Sequence, residues 1–150
     1  MKPHHGEIKS LNSSESIKLL EQNRFGHLAC HTKDDIYLVP IAYAFEDGCI
    51  YSHSKLGKKI EMMRKNPQVC IQVEEVENFY QWKSVIAWGR FEELIGDEAI
   101  IAMRRLIQKV AEKEDATKRS ELEIDLSAQL ESAIIFRIRI ERSTGRYEGF

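Results

Sequence analysis

A chain of 150 residues, 43% hydrophobic and 31% charged, has the length and composition of one domain that buries a single core. Its formal net charge of −2 argues against a general nucleic-acid binder, which carries a basic excess, and no run of about 18 uncharged apolar residues is present to span a membrane. The N-terminus MKPHHGEIKSLNSS has no apolar h-region, so we expect no secretory leader and a cytoplasmic location.

In chain order, residues 1–12 are expected as a flexible tail. Ser13, Ser14 and Glu15 ahead of Ile17, Leu19 and Leu20 predict a short helix over 14–23, with a serine cap and acidic residues in its first turn. RFGHLACHT and IYLVPIAYAF then read as two strands around the polar turn at 33–35. The EDG of residues 46–48 marks a hairpin leading into a third strand, CIYSHS. Leu56, Ile60 and Met63 have helical spacing over 57–65, and Asn66-Pro67 ends that helix. QVCIQVEEV and KSVIAWGRFEEL give a fourth and a fifth strand. From Gly96-Asp97 a longer helix presents Ala99, Ile100, Met103, Leu106, Ile107 and Val110 on one face. EKEDATKRSELE has almost no apolar residue to bury and predicts a mobile connection with some helical character over 112–124. SAIIFRIRIER alternates Ile134, Phe136, Ile138 and Ile140 against Ile135, Arg137, Arg139 and Glu141, a strand with one face in the core and the other partly wet.

Six strands joined mostly by short turns, with helices early, midway and late, predict a closed or nearly closed antiparallel barrel with flanking helices in a single domain. Closure also removes exposed strand edges. The cysteines Cys30, Cys49 and Cys70 are odd in number and widely spaced in apolar runs, so free thiols are expected rather than a disulfide framework or a zinc site.

The most informative stretch is SHSKLGKK, residues 52–59. A helix starting near Gly57 turns free amides and the positive end of its dipole toward the preceding loop, and such an end binds anions. Ser52 and Ser54 bring hydroxyls there, and Lys58 and Lys59 bring charge. Lysines at a helix N-terminus oppose the dipole by about 0.3–1 kcal/mol, so the pair either sits on a solvated face at a small cost or is offset by an anion such as phosphate. Pro40 within YLVPIAY implies an edge strand or a bulge, or backbone groups near Val39 and Ile41 left free to meet a planar ligand. Trp82 and Ser84 open a strand, where aromatics serve as core or interface anchors.

His53 is read two ways, as a hydrogen-bonded structural residue or as a proton donor or orienting group beside a ligand. His4 and His5 are adjacent and make a poor metal site, and His27 and His31 share a strand face without helical metal-pair geometry. We assign no metal.

The ordered series FGHLACHT, YLVPIAYAFEDGCIYSHS, GKKIEMMRKNPQVCIQV, WKSVIAWGRFEEL and IFRIRIERSTGR resembles the FMN-binding split-barrel proteins related to pyridoxamine 5′-phosphate oxidase, and within them the branch with the nitroimidazole-resistance proteins. The resemblance covers about 13–93 and the last strand with its tail. It implies a mainly β fold with flanking helices, a six-stranded antiparallel split barrel, and a homodimer with FMN in each of two clefts between subunits. On the matching motifs, Val39, Pro40 and Ile41 would lie along the isoalloxazine ring. Ser52, His53 and Ser54 would line the cofactor site, Lys58 and Lys59 would hold the 5′-phosphate, and Trp82, Ser84 and Val85 would come from the other subunit. His53 is then the candidate catalytic residue. The arginine and histidine pattern by which true pyridoxamine phosphate oxidases hold their substrate is not evident in the tail ERSTGRYEGF, which argues against vitamin B6 oxidation.

The expected activity is electron transfer from a reduced nicotinamide through FMN to a small organic acceptor, nitro compounds included. The alternatives are a non-enzymatic module holding flavin or haem, and a relative that prefers a deazaflavin. Neither nucleic acid nor membrane is expected as a partner.

Overall fold

The computed structural model describes residues 6–112 and 114–150. His4 and His5, and the start of the expected tail, lie outside the described residues. The elements are β1 (Lys9–Leu11), α1 (Ser13–Gln22), β2 (Phe25–Thr32), β3 (Asp35–Ala42), β4 (Ala44–Glu46), β5 (Cys49–Ser54), α2 (Lys58–Lys65), β6 (Gln68–Asn78), β7 (Gln81–Leu94), α3 (Gly96–Ala111), α4 (Ala116–Leu130) and β8 (Ile134–Glu148). Every strand pair is antiparallel.

The strands form one sheet in the order β3-β2-β6-β7-β8-β5-β4, with β1 added on β8. β3 and β4 are the two ends of this series, yet only Tyr43 separates them in the chain. The sheet therefore curls until its first and last strands meet through one residue, and the barrel closes covalently where it does not close by a hydrogen-bonded ladder. Tyr43 holds that corner. Its amide donates to the Arg24 carbonyl at 2.9 Å, its hydroxyl donates to the Leu20 carbonyl at 2.7 Å, and its ring is buried. The single strand expected over IYLVPIAYAF is thus two, bent at this tyrosine.

Alternation divides each strand between two environments. Leu28 and Cys30, Ile41, Ile50, Ile71 and Val73, Val85 and Ala87, and Phe136 and Ile138 point into the barrel, and Leu19 and Leu20 of α1 and Ile60, Met62 and Met63 of α2 pack among them. A second core forms on the outside of β5 and β8, where α3 and α4 cover Cys49, Tyr51 and Ile135. Ile135 is therefore buried on the face expected to be partly wet, while Arg137 and Arg139 farther along it bond Glu92. Gly89 sits at a register shift between β7 and β8, and a Cβ there would collide with the Arg139 carbonyl.

Several local expectations are corrected. Asn12 rather than a serine caps α1: its side chain accepts from the Glu15 amide at 2.8 Å while Glu15 accepts from the Asn12 amide at 3.1 Å, a reciprocal capping box. Residues 9–11, placed in the tail, form β1 because β8 runs on to Glu148 and offers Gly145 to Tyr147 as pairing partners. The region 112–124, expected as a mobile connection, includes the first turns of α4, with Asp115 accepting from the Lys118 amide. Leu56 precedes α2 and is exposed, as is Ile100 on α3.

The outer face of β2, β3, β6 and β7 remains open. Ile36 and Leu38, outward on β3, are 82% and 63% exposed, and Phe25 on β2 is also exposed.

Candidate functional site

Helix α2 begins where β5 ends, with Gly57 at its N-cap and no side chain capping its first-turn amides. The two lysines that open it have different surroundings. Lys58 Nζ lies 2.6 Å from Asp35 Oδ2, across the β2–β3 turn, and 4.7 Å from the centre of the Tyr37 ring. The hydrogen bond and charge of Asp35 raise the Lys58 pKa, and Lys58 in turn holds the Asp35 carboxyl below its ordinary range.

Lys59 is half-buried, and among the described residues no carboxylate lies within ion-pairing distance of it. Burial pulls its pKa down, with the Cys30 thiol acting weakly in the other direction. Its charge reaches two neighbours. His53 is pulled down first by burial and then by Lys59, which leaves the imidazole neutral at pH 7. Cys30 is pushed up by burial and by Asp35, against the pull of Lys58 and Lys59. The result is a spot of positive potential with a half-buried cation, uncapped amides and a neutral imidazole.

The serines are already engaged. Ser52 is 1% exposed and its hydroxyl donates to the Ala42 carbonyl at 2.6 Å, tying β5 to the end of β3. Ser54 donates to the Lys55 carbonyl at 2.8 Å. Each can still accept a hydrogen bond, but neither has its proton to spare.

β3 is an edge of the sheet, paired with β2 alone, so proline at position 40 costs little and alternate backbone groups of this strand point away from the ladder. Pro40 itself faces outward and is exposed. Val39 and Ile41 turn their side chains toward the core, so they present backbone rather than side chains at this edge.

Trp82, Ser84 and Val85 lie elsewhere. Trp82 donates from its indole to Glu148 Oε1 at 3.1 Å, Ser84 accepts from Gln72 Nε2 at 2.9 Å, and Val85 is wholly inside the barrel. Ser54 pairs with Ile134 and Leu94 with Ile135, whereas Trp82 pairs with Glu148. Trp82 and Leu94 are therefore near opposite ends of β7, separated by on the order of 40 Å of strand. Within one chain, the lysine end and the tryptophan end do not converge.

An apolar cavity of about 340 Å³ opens on the uncovered face, lined by Ala29, His31, Ile36, Cys70 and Trp88 among others. It is at the α2 end of the barrel, since Asn66, whose backbone amide caps α2 by donating to the Met62 carbonyl, donates from its side chain to the His31 carbonyl at 3.2 Å. Arg142 lies 3.8 Å from the Trp88 ring centre. Neither this cavity nor the Asp35 and Tyr37 partners of Lys58 were anticipated from the sequence. The outward alternation of Ile36, Leu38, Cys70 and Trp88 was the available signal. His27 also faces outward, and among the described residues no three histidine, cysteine or acidic side chains gather in a metal-binding group. No described helix is long and apolar enough to cross a membrane.

Comparison with known proteins gives a consistent result. A family model described as pyridoxamine 5′-phosphate oxidase matches residues 12–147. A FAD-binding protein of Mesorhizobium loti is 36% identical, with a TM-score of 0.74 over 95% of this chain and 99% of its own. A candidate 5-nitroimidazole antibiotic resistance protein of Bacteroides thetaiotaomicron is 16% identical and shares the fold, with a TM-score of 0.70 over 98% of this chain and 95% of its own. An uncharacterized protein of Rhizobium meliloti, RA0666, is 37% identical over 87 residues, which is 58% of each chain. The chain thus matches a little over half the length of that curated relative.

Proposed function

Because the chain belongs to the pyridoxamine 5′-phosphate oxidase-related family of FMN-binding split barrels, we propose that it is a homodimeric cytoplasmic flavoprotein that holds FMN in clefts between two copies. We further propose that it passes electrons from a reduced nicotinamide to a small organic acceptor, with nitro compounds as the first class to try. The observation that carries this reading is Lys59: a half-buried cation with no carboxylate partner among the described residues, next to helix amides without a side-chain cap.

The residues fit a flavin phosphate. Lys59 supplies the charge and the first-turn amides of α2 supply donors aligned with the dipole, while Lys58 must share itself with Asp35. The free edge of β3 at Val39, Pro40 and Ile41 offers backbone groups to the rim of a planar ring. Ser52 and Ser54 line the same end as acceptors. His53, neutral at pH 7, can donate one ring N–H to a bound acceptor while burial, and after it the charge of Lys59, keeps it from holding a second proton. When bound, flavin supplies the electron chemistry, and the protein supplies position and electrostatics.

Two copies are needed because Trp82 and Ser84 stand at the far end of β7 from Lys59. The open face of β2, β3, β6 and β7, with Ile36, Leu38 and Phe25 exposed, is the surface for the second copy. In that arrangement Trp82 and Ser84 reach the partner's cleft with their side chains. Val85 contributes through its backbone, since its side chain fills its own core.

The test is the visible spectrum of the purified protein followed by identification of the released chromophore. Released FMN supports the reading, while a protein that neither retains nor rebinds flavin overturns it. A second reading, FAD in place of FMN, is favoured by the 36% identical relative named as FAD-binding, and the same release experiment separates the two.

A further inference from the structure

Away from the lysine end, one groove combines apolar walls with a buried charge. At the β6–β7 hairpin, Gly6, Ile8, Val76, Phe79, Trp82 and Glu148 help line a space of about 620 Å³. Ile8, Val76 and Phe79 are exposed there, but Glu148 is only 6% exposed. Its Oε1 accepts from the Trp82 indole at 3.1 Å. Among the described residues Oε2 has no donor, and no lysine or arginine forms an ion pair with the carboxylate; Arg146, two residues earlier on the same face of β8, does not reach it. Every fully buried side-chain polar atom among the described residues has a partner. Oε2 therefore touches open space, and the groove is the space that Glu148 lines.

A carboxylate largely removed from water with one neutral donor is under-compensated. The natural complement is a cation. The indole of Trp82 is held beside the carboxylate by their hydrogen bond, and an indole face attracts a cation through its quadrupole. Val76 and Phe79 offer apolar surface to whatever carries that charge. An anion would be repelled by Glu148, and a neutral apolar occupant would bury the carboxylate further without pairing it.

We propose that this groove binds an organic cation, an ammonium or pyridinium group on an aromatic or alkyl body, with the charge on Glu148 Oε2 beside the Trp82 ring and the body along Val76 and Phe79. The inference does not rest on the flavin reading. Trp82 is common to both, so Glu148 carries the test.

Benzylammonium, benzyl alcohol and benzoate are to be titrated by calorimetry into the full-length protein, and then into Glu148→Gln, which preserves size and an acceptor for the indole. Benzylammonium should bind the unaltered protein about tenfold or more tighter than benzyl alcohol, and benzoate most weakly. In Glu148→Gln the preference for the amine should disappear while benzyl alcohol binding is retained. Equal binding of amine and alcohol by the unaltered protein would overturn the proposal, as would a variant that keeps the preference. The three-ligand comparison on the unaltered protein decides the matter even if the variant does not fold.

Discussion

Lys58 and Asp35 pair at 2.6 Å across the β2–β3 turn, and this contact distinguishes two lysines that are adjacent in sequence. Lys59 has no such partner among the described residues, and it is the more buried of the two. A phosphate at the start of α2 would gain most from the unpaired charge. Lys59→Ala should weaken FMN binding about ten- to a hundredfold, the loss of a charge-assisted hydrogen bond, while riboflavin binding changes little. Lys58→Ala should cost less. Calorimetric titration with both flavins checks this, and equal losses for FMN and riboflavin would remove the phosphate from the assignment.

The same pair predicts a gain. Asp35 competes with an anion for Lys58 and repels the anion by its own charge, so Asp35→Asn should tighten FMN binding about two- to fivefold at low salt, with the gain fading at high ionic strength. Riboflavin should be unaffected. Because the bridge is solvent-exposed, the melting temperature of the apoprotein should hardly move, and a large fall in stability would mean that Asp35 has a structural role instead.

Lys59 and His53 both have lowered pKa values, with burial the first cause in each case. For His53 the unfolded side chain binds a proton near 6.5 and the folded one resists it. Stability of the apoprotein should therefore fall as pH drops below 6.5 and level off below the folded pKa. For Lys59 the unfolded state holds its proton up to 10.5 while the folded state releases it earlier, so stability gains as pH rises through that interval. A bound phosphate favours the charged lysine, so FMN affinity should decline as pH rises through the lowered value. Urea titrations of wild type and His53→Asn at pH 7.5 and 5 should show a smaller acid loss in the variant; equal losses would assign the acid sensitivity elsewhere.

Gly89 permits the close approach of β7 to β8 at their register shift. Gly89→Ala should destabilise the fold by about 1–3 kcal/mol through overpacking against a backbone that cannot move aside. Chemical denaturation measures this directly, and an unchanged midpoint would show that the β7–β8 ladder yields.

The strands were legible because each long strand alternates over enough residues to declare its faces, as Val69, Ile71 and Val73 do against Gln68, Cys70 and Gln72. The bend at Tyr43 was not legible, because the corner is held by the carbonyls of Leu20 and Arg24 from another part of the chain. Helix α4 was legible only as some helical character in a mobile connection, because Leu122 is the one member of its inward stripe, Leu122, Leu126 and Leu130, that lies within the charged segment. β1 has no alternation of its own and exists through its pairing with β8.

At the site, the lysine pair was visible because charge at that end of a helix opposes the dipole. Which lysine is free was not visible, since Asp35 lies far away in sequence. The serines looked like donors because a sequence does not show that the Ala42 and Lys55 carbonyls claim their protons. Trp82 and Ser84 were expected at a subunit boundary, and their distance along β7 from the lysine end makes that expectation a requirement of the proposed site.

The most direct test of a flavin cleft shared by two copies is the flavin content of mixed dimers. Lys59→Ala and Trp82→Ala chains, carrying different affinity tags, are to be co-expressed and the mixed species isolated. If each cleft takes Lys59 from one copy and Trp82 from the other, each parent dimer has two damaged clefts, whereas the mixed dimer has one intact cleft and should hold about one FMN per two chains. Mixed dimers as empty as both parents, or a monomer that binds FMN fully, would contradict the account.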